Sequence, residues 1–202
     1  QRSYDQISQD LCINSNPATI VLNYTSVTGL TDVTHLGIFT IAAFSNIPNL
    51  VLLAPTNKAE YFAMLDWSIE QQEHPVMILM PGNGVIDDGR VAEKDYSNII
   101  NKFKVEEKGS KVAILGLGDF YQIGEEVSKM VEEKLGFKPT LVNPRFASGV
   151  DKELLNDLKQ DHDLVITLED GILRGGFGES IASFYGDSDI KVKNYGLEKK
   201  FY

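Results

Sequence analysis

Apolar residues in this chain fall into two alternating kinds of segment: short continuous runs, and longer stretches with apolar positions three or four apart. The first kind reads as strands and the second as amphipathic helices. Residues 18–24, 50–54, 76–80, 111–117, 140–143, 164–168 and 190–195 are predicted strands, the first of them buried. Helices are predicted over 2–12, 36–45, 58–71, 121–135, 152–159 and 175–185. In the helix over 58–71 the inward stripe is Tyr61, Met64, Leu65 and Ile69, and Trp67 lies off it, facing a neighbour. In the helix over 121–135 it is Ile123, Val127, Met130, Val131 and Leu135. Asn14-Ser15-Asn16-Pro17, Pro48, Pro55-Thr56-Asn57 and Pro81-Gly82-Asn83-Gly84 punctuate the elements. From 85 to 110 charges dominate, which predicts a linker ending in a hairpin at Gly109-Ser110. Strands alternating with helices on both sides of it predict an α/β protein of two domains, 1–95 and 96–202, each a mostly parallel sheet flanked by helices.

Composition narrows the function classes. With 43% hydrophobic residues the chain can bury a core. Its net charge of −10 and lack of any basic run argue against nucleic acid and anionic membrane as partners. The one cysteine, Cys12, excludes a disulfide framework and fits a reducing, cytoplasmic compartment. No apolar run approaches the roughly 18 residues of a membrane span. The sequon Asn23-Tyr24-Thr25 overlaps a strand and is discounted. The chain opens at Gln1-Arg2 without Met and closes at Phe201-Tyr202 directly after a strand-like segment, so we expect a longer protein.

Candidate chemistry gathers at 27–35, Val-Thr-Gly-Leu-Thr-Asp-Val-Thr-His, between a strand and a helix. In open α/β sheets ligands bind at the C-terminal ends of strands. Asp32 or Thr34 is also a residue type that caps a following helix, the reading the pattern favours for Asp32, and His35 stands open between a structural and a catalytic role. Gly116-Leu117-Gly118 is not a dinucleotide fingerprint, because Tyr121 occupies the third glycine position and Asn143 the acidic one; the glycines fit a tight strand-to-helix turn. Glu169-Asp170-Gly171, followed by Arg174-Gly175-Gly176-Phe177-Gly178, offers paired carboxylates for a metal or for acid–base work. A structural turn at a domain or subunit contact is the stronger reading of it. No zinc spacing and no G-x-S-x-G elbow occur.

Gln1-Arg2-Ser3-Tyr4-Asp5-Gln6, the loop ending Thr34-His35, and Pro48 with Leu53-Ala54-Pro55 together resemble the pyrimidine-binding domain of thiamine-diphosphate enzymes. The branch is that of transketolase, the pyruvate dehydrogenase beta subunit and, most closely, 1-deoxy-D-xylulose-5-phosphate synthase. Val142, Arg145-Phe146, Asp151, Glu169-Asp170 and Gly175-Gly176-Phe177-Gly178 resemble the C-terminal domain of that synthase. The resemblance implies a three-domain, homodimeric transferase of isoprenoid precursor biosynthesis, of which this is the C-terminal portion. It implies thiamine diphosphate and Mg²⁺, held mainly by a preceding region that also carries the cofactor-activating Glu. His35 matches the His close to the reactive carbon, and Arg2 the Arg on the acceptor phosphate; Thr31 and Asp32 fall in the substrate loop. Two positions depart from the pattern. The family loop reads Asp-Gly-x-Thr-His, whereas Thr31-Asp32-Val33-Thr34-His35 carries its carboxylate one place later, and the family Arg after the strand over 76–80 is missing from Met80-Pro81-Gly82-Asn83. The rival readings are a transketolase-like ketol transfer between sugar phosphates and a non-catalytic α/β docking subunit.

Overall fold

The computed structural model describes residues 3–27 and 33–202. A first helical turn, α1 (Tyr4–Gln6), continues as a π-helix over Ile7–Cys12. Then come β1 (Ala18–Asn23), α2 (Thr40–Phe44), β2 (Val51–Leu53), α3 (Lys58–Glu70) and β3 (Pro75–Met80). After a long connection the second half runs β4 (Lys104–Glu107), β5 (Lys111–Gly116), α4 (Tyr121–Leu135), β6 (Thr140–Asn143), α5 (Lys152–Leu158), β7 (His162–Ile172), α6 (Phe177–Phe184) and β8 (Lys191–Leu197). The first sheet has the order β1-β3-β2, all parallel, and the second β4-β6-β5-β7-β8, parallel except for β4. Two mostly parallel sheets flanked by helices are thus what the alternation predicts.

Side-chain alternation along β2 and β3 of the first sheet builds two cores. Val51, Leu53, Val76 and Ile78 point to one face, where Met64 and Trp67 of α3 cover them. Leu52, Ala54, Met77 and Leu79 point to the other. That second face packs against Leu115, Leu117, Val142 and Phe177 of the other half, so the two sheets share one core. Each such aliphatic side chain contributes about 1.5–3 kcal/mol on full burial. The join also involves main chain. Ala54 N donates to Arg145 O and Ala147 N to Leu52 O, each at 2.8 Å, which adds residues 145–147 as an antiparallel bridge to β2.

Several expectations need correction. The run at 18–24 is half-buried, because β1 is an edge strand, whereas the other edge, β2, is covered by the bridge from residues 145–147. The helix expected over 36–45 is confined to Thr40–Phe44. A Cβ on Gly37 would collide with the Tyr24 carbonyl and come within 2.9 Å of Thr25 Cα, so this segment first crosses the end of β1 before it can coil. In α3 the buried set is Glu60, Met64, Trp67 and Ser68, while Ile69 is 61% exposed. Trp67 belongs to the core after all: its ring lies 5.7 Å from that of Tyr96, and Nε1 donates to Ser97 Oγ at 3.0 Å. In α4 the buried face is Tyr121, Gly124 and Ser128, with Ile123, Met130 and Leu135 exposed. Gly124 explains this: a Cβ there would meet Leu141, Ile114 and Leu168 at 3.3–3.6 Å, so the helix rides on its smallest residues close to the sheet. Gly109-Ser110 joins β4 to β5 but makes no hairpin, since β6 lies between them.

Candidate functional site

The C-terminal ends of β1 and β3 carry the loop that sequence singles out. Its entry is held by Thr25 N on Met80 O (3.1 Å) and by Gly82 N on Ser26 Oγ (2.7 Å). Val27 N then donates to Asp170 Oδ1 at 3.0 Å. At the exit Gly37 N donates to Tyr24 O (2.8 Å), and Ile172 N of β7 donates to Ile38 O (3.1 Å). Both ends of the 27–38 segment are therefore tied to the end of β7, in the other half of the chain. His35 is exposed on this loop, with Nδ1 2.7 Å from Thr34 Oγ1. Beside it, Val33, Leu36, Phe39 and Phe201 line a shallow apolar groove of about 360 Å³, with Phe39 and Phe201 edge to face. Thr31, Asp32 and Arg2, the other site residues read from the sequence, lie outside the described residues.

The pair Glu169-Asp170 separates, because successive residues of a strand point to opposite faces. Glu169 turns toward α6, whose first amides need acceptors. Its Oε2 accepts from Phe177 N and its Oε1 from Gly178 N, both at 2.8 Å. Burial raises its carboxyl to about 7, against the downward pull of those two amides. Gly176 is required in the same turn, since a Cβ there would sit 2.5 Å from Glu169 Oε2 and 2.6 Å from Ile172 O. In this glycine-rich turn Glu169 thus serves the N-terminus of α6.

Asp170 faces the seam between the halves. There it meets Asp119, on a short 3₁₀ turn over Gly118–Phe120 that follows β5. Burial raises both carboxyls, Asp119 to about 7, where the neighbouring charge of Asp170 adds to the rise. Both line a cavity of about 20 Å³ together with Thr25, Ala54, Pro55 and Pro81. Such a volume matches one water molecule and excludes a pyrimidine or a sugar phosphate. Sequence reading missed Asp119, although it sits at a strand end beside the glycines of the rejected nucleotide motif. The turn expected there is present: a Cβ on Gly116 would meet Tyr121 Cα at 2.6 Å. Among the described residues no group of three or more His, Cys, Asp or Glu side chains is placed to hold a metal ion.

Two family models match, "Transketolase, pyrimidine binding domain" over residues 1–85 and "Transketolase, C-terminal domain" over 101–198. The chain belongs to the transketolase family. Among relatives of this transketolase-type chain is the 1-deoxy-D-xylulose-5-phosphate synthase of Clostridium tetani (strain Massachusetts / E88), 32% identical over 100% of this chain and 32% of its own length. The synthase of Synechococcus sp. (strain JA-3-3Ab) is 37% identical over 95% of this chain and 29% of that protein. That of Clostridium perfringens (strain SM101 / Type A) is 34% identical over 100% and 32%. The chain spans about a third of the length of these curated relatives. A solved structure described as a split gene transketolase, inactive beta4 tetramer, superposes with a TM-score of 0.82 at 24% identity, covering 98% of this chain and 63% of the other. The fold is therefore that of a transketolase's two later domains. Two of the motifs that carried the resemblance in the second half have structural parts here. Arg145-Phe146 forms the bridge to β2, and Asp151 caps α5 through Leu154 N while accepting from Phe103 N.

Proposed function

We propose that this chain is the C-terminal part of a thiamine-diphosphate-dependent transferase of two-carbon units that joins pyruvate and glyceraldehyde 3-phosphate with loss of CO₂. Similarity to 1-deoxy-D-xylulose-5-phosphate synthases along the whole chain, at 32–37% identity, carries this reading. The functional units divide at residue 95, before the segment that leads into the second sheet. The described residues do not fit a magnesium–diphosphate group, lacking a cluster of ligating side chains, so no step is assigned to that group here. When bound, thiamine diphosphate supplies the carbanion chemistry, and the protein supplies orientation and proton transfer. His35, exposed at the strand-end loop with Thr34 Oγ1 on Nδ1, is the residue we assign to proton exchange with substrate oxygens. Arg2 is assigned to the acceptor phosphate, and Thr31 and Asp32 to the rim of the substrate loop. The protein is proposed to act in the cytoplasm as a homodimer; no helix among the described residues is long and apolar enough to cross a membrane. Phe62 and Ile69, one above the other on α3 and 50% and 61% exposed, suit an apolar contact with another copy.

The likeness to the split gene transketolase favours one further arrangement, in which a separate polypeptide carries the diphosphate-binding domain. Both arrangements predict that the 202 residues alone, given thiamine diphosphate and Mg²⁺, consume no pyruvate. Assay of 1-deoxy-D-xylulose 5-phosphate formation by the intact enzyme, or by this chain with its partner, tests the activity. Product from sugar phosphate donors but not from pyruvate would replace it with ketol transfer.

A further inference from the structure

Asp170 is the point where the second half grips the loop bearing His35. It is 6% exposed; Oδ1 accepts from Val27 N at 3.0 Å, while Oδ2 is buried and, among the described residues, accepts no hydrogen bond from a nitrogen or hydroxyl donor. Its side-chain neighbour is the carboxyl of Asp119. Two ionised carboxylates can only accept, so the contact is cohesive only while one of them carries a proton. With Val27 N donating to Asp170, Asp119 is the better proton carrier. Its O–H then supplies the donor that Asp170 Oδ2 otherwise lacks.

We propose that Asp119 and Asp170 are positioning residues for the 27–38 loop: the pair shares one proton across the seam, and loss of that proton loosens the hold of β7 on the loop that carries His35. The surroundings support a switch within this pair. From the first half, Thr25, Ala54, Pro55, Leu79 and Pro81 face it, none of them titratable. Ile41 comes from α2, and Leu117 and Gly118 from the turn after β5. Glu169, the nearest other carboxyl on β7, is turned away to Phe177 N and Gly178 N. No basic side chain lines the cavity among the described residues, so nothing there neutralises a second negative charge. Burial and the neighbouring charge of Asp170 raise Asp119 well above the ordinary carboxylate range, so the pair holds its proton toward neutral pH. The proposal bears on catalysis through the reading of His35 given above, but its test does not require turnover.

Amide hydrogen exchange of the intact protein, read by peptide between pH 6 and 8 and corrected for intrinsic exchange, follows the loop directly. In the wild type, protection of the Val27 amide should fall by roughly tenfold as pH rises, the effect of about one pKa unit. The peptide containing β5 should stay protected and so report that the fold is intact. Asp119→Asn places a permanent donor against Asp170 Oδ2, and its loop should remain protected across the range. Asp170→Asn keeps an acceptor for Val27 N and a donor for Asp119, and should likewise flatten the profile. Asp170→Ala should leave the Val27 amide unprotected at every pH, while Gly37 N, bonded to Tyr24 O, stays protected; should it fail to fold, the two Asn variants decide. A flat wild-type profile, or a wild-type-like pH step in Asp119→Asn, overturns the proposal. If the activity reading fails instead, His35→Ala leaves turnover unchanged while the exchange profile stands.

Discussion

Asn143 Nδ2 donates to Glu60 Oε1 at 2.8 Å, a bond between β6 and α3 that crosses the seam with both residues buried. Glu60 Oε2 meanwhile accepts from Thr56 N (2.9 Å) and Thr56 Oγ1 (2.8 Å), and Asn57 Oδ1 accepts from Glu60 N, which starts α3. One carboxylate thus organises a helix start and a domain contact together. Asn143→Leu removes its donor from the second half and leaves Oε1 buried without a partner. The expected cost is about 1–3 kcal/mol, more than a neutral surface change. Urea unfolding of Asn143→Leu beside the wild type measures it, and an unchanged midpoint would show that Glu60 is satisfied from its own helix.

A second prediction concerns pH. Glu169 and Asp119 are raised to about 7 by burial, whereas in the unfolded chain such groups titrate near 4. The native state then binds more protons than the unfolded one between those values. Stability is therefore fully present below about pH 4, declines as pH rises toward 7, and levels off above. While it titrates, each group contributes a slope of up to about 1.4 kcal/mol per pH unit. Glu169→Gln should reduce the slope and also weaken the start of α6, since an amide oxygen serves two backbone donors poorly. Melting temperatures at pH 5, 6, 7 and 8 check this; a rise in stability from 5 to 7 would contradict it.

The alternation of strands and helices was legible because parallel strands buried on both faces read as unbroken apolar runs. Helix faces were less legible. Tyr61, Met64 and Leu65 do pack on the core, but Ile69 is exposed and the buried stripe of α3 passes through Trp67 instead, a choice that depends on Tyr96, which arrives from the connection between the halves. In α4 the signal lay in Gly124 and Ser128, small residues that permit close approach and that a hydrophobic pattern does not count. His35 was legible as a strand-end residue. Asp119 was not, since its significance comes from Asp170, distant in sequence and brought alongside by the β5–β7 pairing.

The third prediction is kinetic. In the intact enzyme His35→Ala should lower kcat by about 10²–10⁴-fold, the range for a positioned acid or base. An exposed imidazole held by Thr34 contributes little to folding, so the melting temperature should hardly move. Thr34→Val, which removes the hydroxyl beside Nδ1, should give a smaller loss of kcat. Wild-type turnover in His35→Ala would assign the residue a structural part in the loop.

The last prediction concerns recognition of the acceptor phosphate. A guanidinium can form two parallel charge-assisted bonds to a phosphate, which makes Arg the side chain of choice for that contact. The resemblance implies two such arginines, yet after β3 the chain reads Met80-Pro81-Gly82-Asn83 and offers none. Arg90, the nearest substitute along the chain, is committed elsewhere. Its Nε donates to Asp88 Oδ2 at 2.7 Å, Nη1 lies 3.6 Å from Glu125, and its guanidinium covers the Tyr121 ring at 4.7 Å. That leaves the contact proposed for Arg2. The intact enzyme should therefore prefer glyceraldehyde 3-phosphate over glyceraldehyde less sharply than a site with two arginines. In Arg2→Ala most of the remaining preference should vanish, a loss of about 1.5–3 kcal/mol. Since each 1.4 kcal/mol is tenfold, the ratio of kcat/KM for the two acceptors should drop by roughly 10–150-fold. Arg2→Lys should recover part of it, because an ammonium keeps the charge but not the paired geometry. Equal ratios in wild type and Arg2→Ala would assign the phosphate contact to another residue.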